Sequence, residues 1–177
     1  MTTKHQPMKS FLQGLSADEA FKVLMLFIDE NPSLMKIVHD IAMKVVGNVD
    51  ADKISGDVFC DLESLDLDSL SGRSGRTRYG YVDPADASWE MFEEELEPYI
   101  YEMKKNQQRA LPAAAKAYCI GIIKGLKRYE AESWSDFADW VTDAPGEYIH
   151  TVVNEWMKGN PPSEDIDEVT GIVKERL

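Results

Sequence analysis

The sequence predicts an all-α protein of seven or eight helices, and three observations carry that prediction. Apolar residues recur every three or four positions from one end of the chain to the other. Prolines stand where helices begin, at Pro32, Pro84, Pro112 and Pro145. No segment alternates polar and apolar residues at period two, so no sheet is expected. The chain has 177 residues, 44% of them hydrophobic and 10% aromatic, which suits one ordinary core. Residues 1–177 are therefore expected to form a single helical domain. Its short connections predict stacked antiparallel hairpins of the tetratricopeptide or HEAT kind, or else an irregular bundle.

Residues 1–8 read as a flexible tail. Ser16 and Glu19 form a capping box that opens a helix to about Glu30, with Ala20, Leu24, Phe27 and Ile28 as its buried face. Asn31-Pro32 restarts the chain. Leu34, Ile37, Val38, Ile41 and Val45 then make a second stripe, closed by Gly47. The two helices are expected to pair as an antiparallel hairpin. A third helix runs from Asp50 or Asp52 to about Leu65 on Ile54, Val58, Phe59 and Leu62. Residues 66–82 carry no stripe and hold Gly72, Gly75 and Gly80, which predicts a long loop. Asp83-Pro84 opens the longest helix, to about Gln107, and Pro98 inside it is expected to kink or divide it. Pro112 starts a helix with Ala115, Tyr118, Cys119, Ile122, Ile123 and Leu126 inward. In that helix Gly121 and Gly125 permit a neighbour to approach closely. Ser135 caps a short helix with Phe137 and Trp140. Pro145 begins another, stopped by Gly159, and the last runs from Glu164 to the end.

Nineteen basic and 32 acidic side chains give a net charge of −13, a poor match to nucleic acid or an anionic membrane. No apolar run approaches the roughly 20 residues that span a bilayer. Lys4 and Lys9 are followed by no leader-like apolar segment, and two cysteines do not make a disulfide framework. A cytoplasmic protein is the expectation. Charge is uneven along the chain. Residues 71–82 carry a net +3 and residues 109–131 a net +4, on either side of 83–108 at −6.

The first basic island is the most unusual stretch. Ser71 to Tyr81 holds Arg73, Arg76, Arg78, Tyr79 and Tyr81 among three glycines. Guanidinium forks pair with carboxylate or phosphate, and tyrosines stack. These five residues are the candidate contacts with a protein partner. The competing expectation is that the arginines pair with the acidic helix that follows. No Gly-Lys-Ser/Thr follows and no strand precedes, so neither a P-loop nor a dinucleotide fingerprint is present. The second island, Lys116, Lys124, Lys127 and Arg128, reads as a solvated or internally paired face.

Chemistry-bearing clusters are weak. Glu147-Tyr-Ile-His150 is half of a carboxylate-bundle metal motif and has no second half, so neither metal nor cofactor is expected. His150 reads instead as partly buried beside Trp156 or Tyr148. Cys119 falls on an apolar face, as an inert thiol does. No nucleophile elbow occurs. Trp134 and Trp140, near Asp136 and Asp139, are the aromatics expected to line a surface groove.

The stretch Asp57 to Leu70, the glycine-arginine segment Gly72 to Pro84 and the acidic run Trp89 to Pro98 together resemble helical segments of prokaryotic proteins associated with SWIM-type zinc fingers. The finger's own Cys-x-Cys and Cys-x-His ligands are absent, so the resemblance implies a helical-repeat scaffold for protein contacts and no metal or DNA-binding role. The expected function is a non-catalytic helical scaffold that binds a protein. The alternatives are an acidic nucleic-acid mimic that occupies a nucleic-acid-binding protein, and a small enzyme whose site is scattered in sequence.

Overall fold

Capping and proline chemistry set the helix boundaries, in a computed structural model that describes residues 6–78 and 80–175. The chain divides into two compact units, Met1–Val45 and Val46–Leu177, where one domain is expected from composition.

The first unit holds α1 (Gln6–Gln13), α2 (Ala17–Glu30), a 3-10 turn (Pro32–Leu34) and most of α3 (Met35–Val46). The capping box of α2 is complete. Glu19 N donates to Ser16 Oγ at 3.3 Å, and Ser16 N donates to Glu19 Oε2 at 2.9 Å. Helix α1 already runs through residues 6–8 of the expected tail; residues 1–5 lie outside the described residues. The expected buried face of α2 is corrected, because Ile28 alone is buried while Leu24 and Phe27 are exposed. Leu34 of the 3-10 turn and Val38 of α3 are half-buried, and Ile37, Ile41 and Val45 of α3 face outward. Helices this short present more apolar surface than they cover among themselves.

The second unit begins with α4 (Ala51–Glu63), capped by Asp50, whose carboxylate accepts from Asp52 N and Lys53 N. It continues with α5 (Leu67–Arg73), strands β1 (Gly75–Thr77) and β2 (Gly80–Val82), α6 (Pro84–Gln108) and α7 (Pro112–Glu132). A 3-10 turn (Asp136–Trp140), α8 (Ala144–Met157) and α9 (Ser163–Lys174) complete it. The all-α class stands, with nine α-helices among the described residues and one two-stranded sheet. One expectation is corrected here. Residues 66–82 are not a long loop, because they form α5 and the β1–β2 hairpin. Of the two outcomes expected at Pro98, a kink or a division, division does not occur, since the helix runs 25 residues as one element.

Helix α7 is the axis. It packs against α4, α6, α8 and α9. That pattern is a bundle around a central rod and not the stacked hairpins of a repeat, in which each element meets its sequence neighbours. Its residues fit the role, since Ala115, Cys119, Ile122, Ile123, Leu126 and Tyr129 are buried, and a helix apolar on most sides is an interior helix. Gly121 and Gly125 bring α4 against it. A Cβ at Gly121 would lie 2.6 Å from Ile54 Cβ and 2.8 Å from the Ala51 carbonyl. A Cβ at Gly125 would lie 2.7 Å from Val58 Cβ. Phe92 of α6 is fully buried between Tyr129 of α7 and Tyr148 of α8, at ring-centroid distances of 5.7 and 5.5 Å.

The second basic island closes on its own chain. Lys116 Nζ reaches Asp165 at 2.7 Å and Glu168 at 2.8 Å, which ties α7 to α9. Lys124 pairs with Asp52 at 2.7 Å. Lys127 donates to the Ile172 carbonyl at 2.7 Å near the end of α9, where a cation suits the helix dipole. Arg128 pairs with Glu132 and lies 4.1 Å from the centre of the Phe59 ring.

Burial of protonated groups gives the fold an alkaline limit. Desolvation pushes the Cys119 thiol from 9.0 up to about 12, and the Tyr129 and Tyr148 phenols from 10.0 up to about 12. In the unfolded chain these groups ionise near pH 9 to 10, while in the fold they hold their protons. Stability is therefore level with respect to these groups below pH 9 and falls as pH rises toward 12. The slope is at most about 1.4 kcal/mol per pH unit per group, and less where solvent reaches the ring. Thermal unfolding followed by circular dichroism is expected to show a midpoint that drops steadily over that interval. A midpoint unchanged through pH 12 would contradict the burial of all three groups.

Candidate partner-binding hairpin

Asp66 caps α5 by accepting from Ser69 N at 2.7 Å, and Leu70 anchors the helix in the core. The helix ends at Ser74, whose hydroxyl donates to the Leu70 carbonyl at 2.8 Å. Two glycines then turn the backbone. Gly75 has φ 81° and Gly80 has φ 138°, a region that side-chain-bearing residues avoid. Between them the antiparallel register pairs Gly75 with Val82, Arg76 with Tyr81 and Thr77 with Gly80. Val82 is packed on the core, which fixes the hairpin to the second unit.

The predicted contact residues thus sort by position. Arg73 ends α5, and its Nη1 donates to Glu94 Oε2 of α6, so it is paired as the competing expectation holds. Arg76 and Tyr81 face each other across the strands, and Tyr81 is 70% exposed. The Arg76 side chain is exposed and has no ion-pair or hydrogen-bond partner among the described residues. Arg78 is exposed at the tip. Tyr79 lies outside the described residues.

A second feature is not apparent from the sequence alone. Glu90, Glu93, Glu94 and Glu97 fall at i, i+3, i+4 and i+7, so α6 carries them as one row. With Tyr148, Thr151 and Glu155 of α8 they line a groove of about 500 Å3. Its far end is partly neutralised. Glu155 accepts from Lys158 and from Lys104 at 3.0 Å, and those two bonds hold its carboxyl below the usual range. On α6 itself, burial and the charges of Asp61 and Glu94 raise the carboxyl of Glu95.

The remaining candidates fall away or move. His150 is exposed, which corrects its expected partial burial. Among the described residues no three His, Cys, Asp or Glu side chains are arranged to hold a metal ion. Cys60 is exposed and Cys119 is buried. Trp134, 84% exposed, lines a shallow hollow with Asp66, Asp68 and Asp136; Trp140 does not line it. No helix of the described residues is long and apolar enough to cross a membrane.

No family model matches the chain, and no curated protein and no solved structure matches it significantly.

Proposed function

We propose that the chain is a non-catalytic helical scaffold that binds a protein partner through its β1–β2 hairpin, with Arg76 and Tyr81 as the principal contacts. The observation that supports this reading is the cross-strand Arg76–Tyr81 pair, exposed and not closed by any carboxylate among the described residues. Arginine and tyrosine are the side chains that most often dominate protein interfaces, because each brings a large, nearly rigid contact with a polar end. A partner suited to the pair offers a carboxylate to the guanidinium and an apolar or aromatic side chain to the ring.

The test is capture by the immobilised full chain from a lysate of its own cells. The Arg76→Ala/Tyr81→Ala double variant is expected to lose a protein that the natural chain retains. Truncating one such anchor costs about 2 kcal/mol, roughly thirtyfold in affinity. Helicity should be unchanged, since both side chains are exposed. Retention of the same proteins by the variant would remove the hairpin from the account.

A second reading is favoured by the glutamate row of α6, which suits a basic partner such as the nucleic-acid site of another protein. That binding would weaken steeply with salt, whereas contact through a single arginine and a tyrosine would weaken little.

A further inference from the structure

We infer that the first unit is a self-association element, whose apolar helices α2 and α3 pack against the same helices of a second copy of this chain. Between Phe21 and Val45, eleven large apolar residues of α2 and α3 are more than a third exposed, among them Phe21 at 63%, Leu26 at 61%, Ile37 at 54% and Ile41 at 56%. At about half exposure each they offer roughly 1,000 Å2 of apolar surface, which exceeds the roughly 800 Å2 per partner of a standard interface. Helix α2 is apolar on nearly every side from Ala20 to Ile28, with Lys22 the one exception, so one adjacent helix leaves apolar surface that the α2–α3 pair of a second copy can meet. Helix α3 adds Ile37, Ile41 and Val45 as an exposed stripe at i, i+4 and i+8.

Three properties of the chain identify the occupant. Beyond α3, the exposed large apolar residues Leu67, Tyr81, Tyr101, Trp134, Trp140 and Met157 each come from a different element, so the described residues offer no second apolar face of this size. The best match to the helices is the same surface on another copy, which is what a twofold interface requires. Charge agrees. Residues 1–45 carry five lysines and five acidic side chains, while residues 46–177 carry the whole −13, so the neutral unit is where two copies approach without repulsion. The same balance disfavours a membrane, because residues 1–45 lack the basic excess that draws amphipathic helices to anionic lipid.

The test is the mass of the full chain in solution by sedimentation velocity at micromolar concentration. The natural chain is expected at twice 20.0 kDa, dissociating on dilution. Leu26→Asp/Ile41→Asp is expected at 20.0 kDa with unchanged far-ultraviolet circular dichroism, and the single variant Ile37→Asp is expected to raise the dissociation constant at least tenfold. A natural chain at 20.0 kDa under these conditions would overturn the inference, whether the helices then fold onto the chain's own body or co-float with phosphatidylserine vesicles. A dimer that survives all three substitutions would overturn it equally.

Discussion

Gly121→Val is expected to cost about 3 kcal/mol or more and to abolish cooperative unfolding of the second unit. A valine Cβ at that position would sit 2.6 Å from Ile54 Cβ and 2.8 Å from the Ala51 carbonyl oxygen. The carbonyl is backbone in α4 and cannot rotate away, so α4 must separate from α7. Overpacking of this kind commonly costs about 1 to 3 kcal/mol, and the second branch of valine adds to it. Alanine at the same site tests the competing effects. It gains roughly 1 kcal/mol of helix propensity over glycine, yet its Cβ meets the same two atoms. Net destabilisation by Gly121→Ala, measured by urea unfolding, is the expected sign. Stabilisation would mean that α4 and α7 do not approach as described. Gly56, which has nothing within 4 Å of an added Cβ, is the control where alanine should stabilise.

Phe92→Ala is expected to cost about 3 to 5 kcal/mol. The ring is fully buried and meets Tyr129 and Tyr148 in tilted pairs, so truncation leaves a cavity at the junction of α6, α7 and α8. Loss of the two ring contacts adds about 0.5 to 1.5 kcal/mol each beyond the lost area. Trp89, half-buried beside Tyr148, reports the same junction. Phe92→Leu, which fills most of the space, should recover most of the stability. An equal loss in both variants would point to an aromatic requirement, and no loss in either would contradict the packing.

The helices of this chain are legible because their ends carry chemistry. Ser16 with Glu19, Asp50, Asp83 before Pro84, and Ser135 all cap where their sequence context says they should. Gly121 and Gly125 are also readable, since two small residues four apart in an apolar helix announce a close neighbour; which neighbour is not, because α4 is distant in sequence. Helix α5 and the hairpin are hidden for a physical reason. Seven residues with Leu67 and Leu70 give no stripe, and strands of three residues are too short to alternate. Their signal is Gly75 and Gly80, the two glycines with positive φ. Residue type points to the arginines as contacts, and type does not separate Arg73, tied to Glu94, from Arg76, which is not. Periodicity marks the apolar faces of α2 and α3 as faces, but an apolar stripe does not say which surface covers it. The glutamate row of α6 is visible as spacing and reads in isolation as a solvated face, because the groove it lines needs α8 on its other side.

A photocrosslinking amino acid placed at position 81 of the full chain tests whether the proposed hairpin is where a partner docks. On illumination in cells the account predicts one dominant crosslinked protein, sharply reduced when Arg76→Ala is added and absent when the crosslinker is placed instead at exposed Tyr101 of α6. A crosslinking pattern at position 81 that is diffuse, or that is unchanged by Arg76→Ala, would contradict it.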